Sequence, residues 1–213
     1  MVLVPAAISL VITVVRLVGE LQGWDESLFR NSTPGEEGMP AIIGISWLVP
    51  IFGFWFGRKL KLGTGGPASL GKASIRFLIA TAVLIGGFAA CIGLGLLTMP
   101  SKDAPAEPAG LEYVLGLVIV AIIIGFTAWP RLAATLLLYG LLARIPVIAV
   151  TWFALENDWD SHYTKLPVGT VLADEGDRFA FLAVPQLTVW IVFTILVGGL
   201  FGCLGAKLTK GKS

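Results

Sequence analysis

Two arginines inside apolar runs, Arg16 and Arg144, offer the clearest chemistry in this sequence. An arginine at mid-bilayer costs about 2.5–3.5 kcal/mol on insertion scales, so it is expected to face an acid, a wet cleft or a ligand. Arg16 belongs to a stripe, Ser9, Thr13, Arg16 and Glu20, spaced by 4, 3 and 4 residues. At the helical period these residues share one face, while the other faces carry Val, Ile and Leu. Glu20 is placed to pair with Arg16 at i,i+4. Arg144 has no acid in its own run, so its expected partners are Glu20, a carbonyl freed by Pro146, water or a bound anion.

Two readings of these residues follow. In one, the arginines join the first and fifth spans through a buried salt-bridge network. In the other, they form an anion site opening to the outer side, for a lipid phosphate, a carboxylate or an inorganic anion. The ligand-binding candidates are Arg144, Arg16, Glu20, Ser9 and Thr13, with Arg144 at the centre because Arg16 is better able to snorkel.

A second group is acidic. In Glu156-Asn-Asp158-Trp-Asp160-Ser-His162-Tyr163, the side chains of Asp158, Asp160 and His162 alternate. An extended segment would put all three on one side, within reach of a divalent cation. Dedicated sites draw on more ligands, so a solvated loop anchored by tryptophans is the favoured reading and no metal is assigned. The single histidine excludes a bis-histidine haem site within the chain.

No cofactor is assigned either. Gly66-Pro-Ala-Ser-Leu-Gly71-Lys72-Ala73 nearly matches the phosphate-cradling GxxxxGK[ST], but it lies between two membrane helices and Ala73 replaces the hydroxyl. Asn31-Ser32-Thr33 fits the glycosylation acceptor pattern on the outer side, with Pro34 directly after it. Cys91 and Cys203 fall at different depths of the membrane and are expected to be unpaired.

The elements that position these residues follow from composition. The chain has 213 residues, 56% hydrophobic and 14% charged, with a mean hydropathy of +0.86. A soluble domain of this size cannot hide so much apolar surface. A net charge of +1 argues against nucleic-acid binding. The fold class is all-α, a single polytopic transmembrane domain over residues 1–213 forming a compact bundle of six helices. Six runs approach the roughly 20 residues a bilayer requires, at about 2–22, 40–57, 75–98, 112–129, 132–153 and 183–206. Trp129-Pro130-Arg131 is the only break in forty residues and predicts a hairpin between the fourth and fifth.

Small residues at four-residue spacing, Gly86 with Ala90, Ala89 with Gly93 and Gly198 with Gly202, predict close packing of the third and sixth spans. A weak internal repeat pairs spans one and two with five and six in the same orientation. It matches Arg16 with Arg144, and Phe56-Gly57 with Phe201-Gly202.

Orientation follows from the loops. With the N-terminus inside, the cytoplasmic side receives Arg58, Lys59, Lys61, Lys72, Arg76, Arg131, Lys207, Lys210 and Lys212 and no acid, while every carboxylate falls outside. Basic residues near span ends are retained in the cytoplasm, so both termini are expected there, in a plasma (inner) membrane. The first run carries Arg16 and Glu20 where a cleavage site would follow, and is expected to be a span and not a signal peptide.

Three function classes survive. The first is a binding or transport protein with an outward-opening, arginine-centred site for an anionic solute or lipid. The second is a non-catalytic subunit or assembly factor, with protein partners or a homo-oligomer packing on its small-residue faces. The third, least favoured, is a lipid-modifying enzyme: the sequence holds no HExxH, no intramembrane Ser–Lys or Ser–His pair and no aspartate-rich phosphotransferase run. The first class is the expectation carried forward, with the lipid bilayer, an anionic lipid or a small anion as partners and no nucleic acid.

Overall fold

The computed structural model of the chain describes residues 1–31, 33, 45–63 and 66–209. Eight α-helices cover most of them: α1 (Leu3–Leu21), α2 (Glu26–Phe29), α3 (Leu48–Gly63), α4 (Leu70–Gly93), α5 (Leu111–Ala128), α6 (Pro130–Glu156), α7 (Arg178–Leu187) and α8 (Val189–Lys207). Among the described residues there is no strand, only isolated bridges between Thr98 and Ala109 and between Ala106 and Thr170.

Five helical segments are long and apolar enough to cross a membrane, as a multi-pass membrane protein requires: α1, α4, α5, α6 and the stretch Glu175–Lys207 containing α7 and α8. Helix α3 has 16 described residues, about 24 Å of rise. It begins at Leu48 and runs past the expected end at 57, taking Arg58, Lys59 and Lys61 with it. Residues 40–44 of that expected span lie outside the described residues, as do Ser32, Glu36, Glu37, Lys210 and Lys212.

Local chemistry explains where the other boundaries moved. Helix α4 starts at Leu70, five residues earlier than the apolar run suggests, because Ser69 caps it: its hydroxyl accepts from the Lys72 N–H at 3.3 Å. It ends at Gly93 and not near 98, where Gly95 turns at φ +68° and the Leu96 N–H closes back on the Cys91 carbonyl at 2.8 Å. The break between α5 and α6 falls at Trp129, with Pro130 opening α6 where a missing N–H is harmless. The expected last span is interrupted at Thr188, three residues after Pro185, so that α7 and α8 meet at a bend.

Helix α8 packs against α3, α4, α5, α6 and α7, while α1 packs on α6. The closest approach is not the one expected. Gly198 and Gly202 of α8 face Gly53 and Gly57 of α3, so tightly that a Cβ on Gly57 would run into the Gly202 carbonyl. From α4 it is Phe77, over Gly199, that meets α8. Gly86, Ala89, Ala90 and Gly93 are exposed, and a Cβ on Gly86 or Gly93 would meet open space. Small residues permit close contact without selecting a partner, and α3 took the place predicted for α4.

Matching residues run in order along α3 and α8, 53 with 198 and 57 with 202, so these helices are parallel. Helix α1 runs parallel to α6 in the same way, Ser9 meeting Tyr139 at one level and Glu20 meeting the segment after α6 at another. The C-terminal ends of α1 and α6 therefore share one end of the molecule with the loops 94–110 and 157–177, which pair through Ala106 and Thr170. Cys91 and Cys203 are both free.

Candidate functional site

Along α1 the polar stripe keeps to one face, but its members do different work. Ser9 is fully buried; its hydroxyl donates to the Pro5 carbonyl at 3.0 Å and lies 2.9 Å from the Tyr139 hydroxyl of α6. Thr13 is also buried and donates to the Ser9 carbonyl at 2.9 Å. Both hydroxyls thus bond back to their own helix, the usual way such side chains are satisfied in apolar surroundings. Ser9 is a bridge between helices and does not line a cavity, whereas Thr13 does.

One turn on, Arg16 donates through Nε to Glu20 at 2.8 Å, as the spacing predicted. Glu20 is buried and accepts twice more, from the His162 N–H at 3.0 Å and from His162 Nδ1 at 2.7 Å. Arg16 and His162 thus take up the Glu20 carboxylate, and it makes no ion pair with Arg144.

The alternative in which Asp158, Asp160 and His162 share one side of an extended segment does not form. Asp158 is exposed at φ +52°, and Asp160 is exposed and pairs with Lys165 at 3.2 Å. His162 turns inward to Glu20. The segment is a turn here, not the extended strand that would have aligned the three side chains, and no group of metal-ligating side chains occurs among the described residues. Asn31 Nδ2 donates to the Asp160 carbonyl at 2.8 Å, so the amide of the expected glycosylation acceptor is engaged by the protein.

In this loop the titratable groups of His162, Tyr163 and Asp160 are shifted by their surroundings. Burial lowers the His162 pKa, and the Glu20 carboxylate only partly restores it. Burial raises that of Tyr163. Hydrogen bonds from Asn31 and Lys165 lower that of Asp160.

Arg144 sits on α6 with 6% of its surface exposed. Its Nη1 donates to Gln186 Oε1 of α7 at 3.1 Å, and the guanidinium carbon stands 4.4 Å from the ring centre of Trp190 at the start of α8. The bend at Thr188 brings both partners to one point, since Gln186 precedes it and Trp190 follows it. Among the described residues no carboxylate lies within ion-pairing distance of Arg144. Only one of its five N–H donors has a protein acceptor there. The salt-bridge network expected between spans one and five stops at Arg16, Glu20 and His162.

Around these groups lies a cavity of about 690 Å³. Helix α1 supplies Ile12, Thr13 and Arg16; α6 supplies Arg144, Val147 and Thr151; and the bent α7–α8 segment supplies Phe181, Leu182, Pro185, Gln186 and Trp190. Ile45, Ser46 and Trp47 close one side, and His162, Tyr163, Lys165 and Pro167 come from the loop after α6. The Tyr163 hydroxyl reaches the Thr13 carbonyl at 3.5 Å and ties that loop to α1. Arg16, Arg144, Thr13 and His162 thus share one cavity, while Ser9, Asp158 and Asp160 are not on its wall.

Gln186 and Trp190 were missed in the sequence. The signal was a glutamine directly after a proline inside an apolar run, a pattern that marks an interrupted helix lining a cavity. A second cleft of about 370 Å³, at the far end between α3 and α8, is lined by Phe54, Arg58, Leu62, Gly205, Leu208 and Thr209. No protein-family model, curated protein or solved structure matches this chain.

Proposed function

We propose that this chain is a membrane binding or transport protein whose Arg144-centred cavity takes an anionic solute or lipid from the outer side. The observation that carries the reading is the state of Arg144: a nearly buried cation on a cavity wall, held by one neutral amide and one ring face. Gln186 and Trp190 orient the guanidinium without neutralising it, so an anion entering the cavity meets a fixed charge with donors to spare. Arg16 lines the same cavity, but Glu20 has already answered its charge. Of the two arginines, Arg144 is therefore the one that selects the ligand.

The threading belongs to the same proposal. Helix α3 completes a sixth crossing, both termini lie in the cytoplasm of an inner-membrane protein, and the basic ends of α3 and α8 face inward. The cavity then opens at the outer end, where Lys165 and the loop after α6 line its rim. Arg144 lies twelve residues from the end of α6, about 18 Å down.

The test is a thermal-shift screen of carboxylates, phosphates and inorganic anions on the purified protein in neutral detergent. At least one anion is expected to raise the melting temperature of the wild type and to leave Arg144→Gln unmoved. Stabilisation of both proteins alike, or of neither by any anion, overturns the proposal.

A further inference from the structure

We infer that the ligand of this cavity is an anionic amphiphile, with one acid group meeting Arg144 and an apolar body lying between α1 and α7. The inference rests on the anion-site reading above and narrows it to a class of molecule. Helices α1 and α7 both pack on α6, and all three line the cavity. Ile12 of α1, Val147 of α6, and Phe181, Leu182 and Pro185 of α7 help make most of that surface apolar.

The wall therefore offers a buried guanidinium and, over most of its area, apolar side chains. A small inorganic anion would use Arg144 and leave most of the wall of a cavity of about 690 Å³, which is apolar, without a partner. Other polar groups on the wall are already engaged, Arg16 and His162 by Glu20, Lys165 by Asp160, and the Thr13 and Thr151 hydroxyls by their own helices. They do not form the enclosing set of donors by which proteins bind compact anions. A neutral lipid would use the walls and leave the guanidinium donors unanswered. An amphiphile satisfies both regions, and its acid can come from a single-chain carboxylate or from a lipid phosphate.

The bend between α7 and α8 supplies the geometry. It sets Gln186 and the Trp190 ring against the guanidinium, while Phe181 and Leu182, earlier on α7, line the same cavity. The Trp190 ring adds an apolar face next to the charge, where the first carbons after an acid group would lie.

The experiment measures binding of straight-chain carboxylates from acetate to dodecanoate, with alkyl phosphates and alkyl alcohols of matched length. Wild type, Arg144→Gln and Arg144→Lys are compared in identical nanodiscs, so that partitioning into the bilayer cancels in the ratio of wild type to variant. Affinity for the acids is expected to rise about fourfold per methylene buried, until the cavity is filled. Arg144→Gln is expected to lose about tenfold or more of acid affinity, and Arg144→Lys to keep part of it. Carboxylates outbinding phosphates would identify a lipid acid, and the reverse a lipid phosphate; either order supports the inference. Affinity that depends on Arg144 but is flat in chain length overturns the amphiphile and leaves the anion site standing. Alcohols binding as well as acids, with no effect of Arg144→Gln, overturn both. If Arg144→Gln does not fold, Arg144→Lys and the acid-to-alcohol ratio of the wild type decide the same questions.

Discussion

The guanidinium carbon of Arg144 lies 4.4 Å from the centre of the Trp190 ring, across the bend that separates α7 from α8. The contact joins a charge in the middle of one helix to the first turn of another, and it fixes the direction in which the charge faces. Cation–π contacts contribute about 0.5–2 kcal/mol, more when desolvated. Trp190→Leu keeps apolar volume and removes the ring. It is expected to lower stability in detergent by an amount in that range, with Trp190→Phe retaining part of it, as read by chemical denaturation.

Gly57 lies against the backbone of Gly202, and a side chain on Gly57 would have to move a helix, whereas one on Gly202 would first meet the end of the Leu132 side chain. Gly57→Ala is expected to destabilise the protein by about 1–3 kcal/mol, the usual effect of overpacking. Gly86→Ala places its methyl in open space on α4 and should change stability by no more than about 0.5 kcal/mol. Thermal unfolding of the two variants side by side separates a packed glycine from an exposed one. Equal losses would mean that the α3–α8 contact is not what holds these helices.

Ser9 and Tyr139 form the hydrogen bond that docks α1 on α6. Tyr139→Phe removes one partner and leaves Ser9 bonded to the Pro5 carbonyl, so the expected loss is modest, about 0.5–1.5 kcal/mol. A double-mutant cycle with Ser9→Ala should return a coupling of that size. A coupling near zero would place the stability of the α1–α6 contact elsewhere.

His162 lies outside the spanning helices, and burial holds its pKa below the ordinary 6.5. A base with a depressed folded value binds fewer protons folded than unfolded, so protonation favours the unfolded chain. Its contribution to stability is full above about pH 7 and is lost as pH falls from roughly 6.5 toward the folded value. Melting temperature measured from pH 8 to pH 5 should fall over that interval for the wild type. His162→Gln should flatten that part of the curve, and an unchanged slope would assign the pH dependence to another group.

The α1 stripe was legible because helical periodicity alone places Ser9, Thr13, Arg16 and Glu20 on one face, and Glu20 stands one turn from Arg16. Helix positions followed from apolar length, and the α5–α6 junction from Pro130. The partners of Arg144 were not legible, because Gln186 and Trp190 are more than forty residues away and meet it only where α7 and α8 bend. The pairing of glycines failed for a similar reason. Gly53-x₃-Gly57, Gly86-x₃-Ala90 and Gly198-x₃-Gly202 look alike in sequence, and only tertiary packing decides which two meet. Of the residues matched in the repeat, Gly57 and Gly202 prove to touch, on helices that run parallel. The alternation of Asp158, Asp160 and His162 would align their side chains only on an extended backbone, and the chain turns there.

The central claim is that Arg144 holds an anion. Native mass spectrometry of the protein released directly from its own membrane tests it without a choice of ligand. Wild type should carry a bound acidic molecule of defined mass, and Arg144→Gln, equally well inserted and folded, should be released without it. Retention of the same adduct by Arg144→Gln, or a wild type that carries only neutral lipid, would contradict the account.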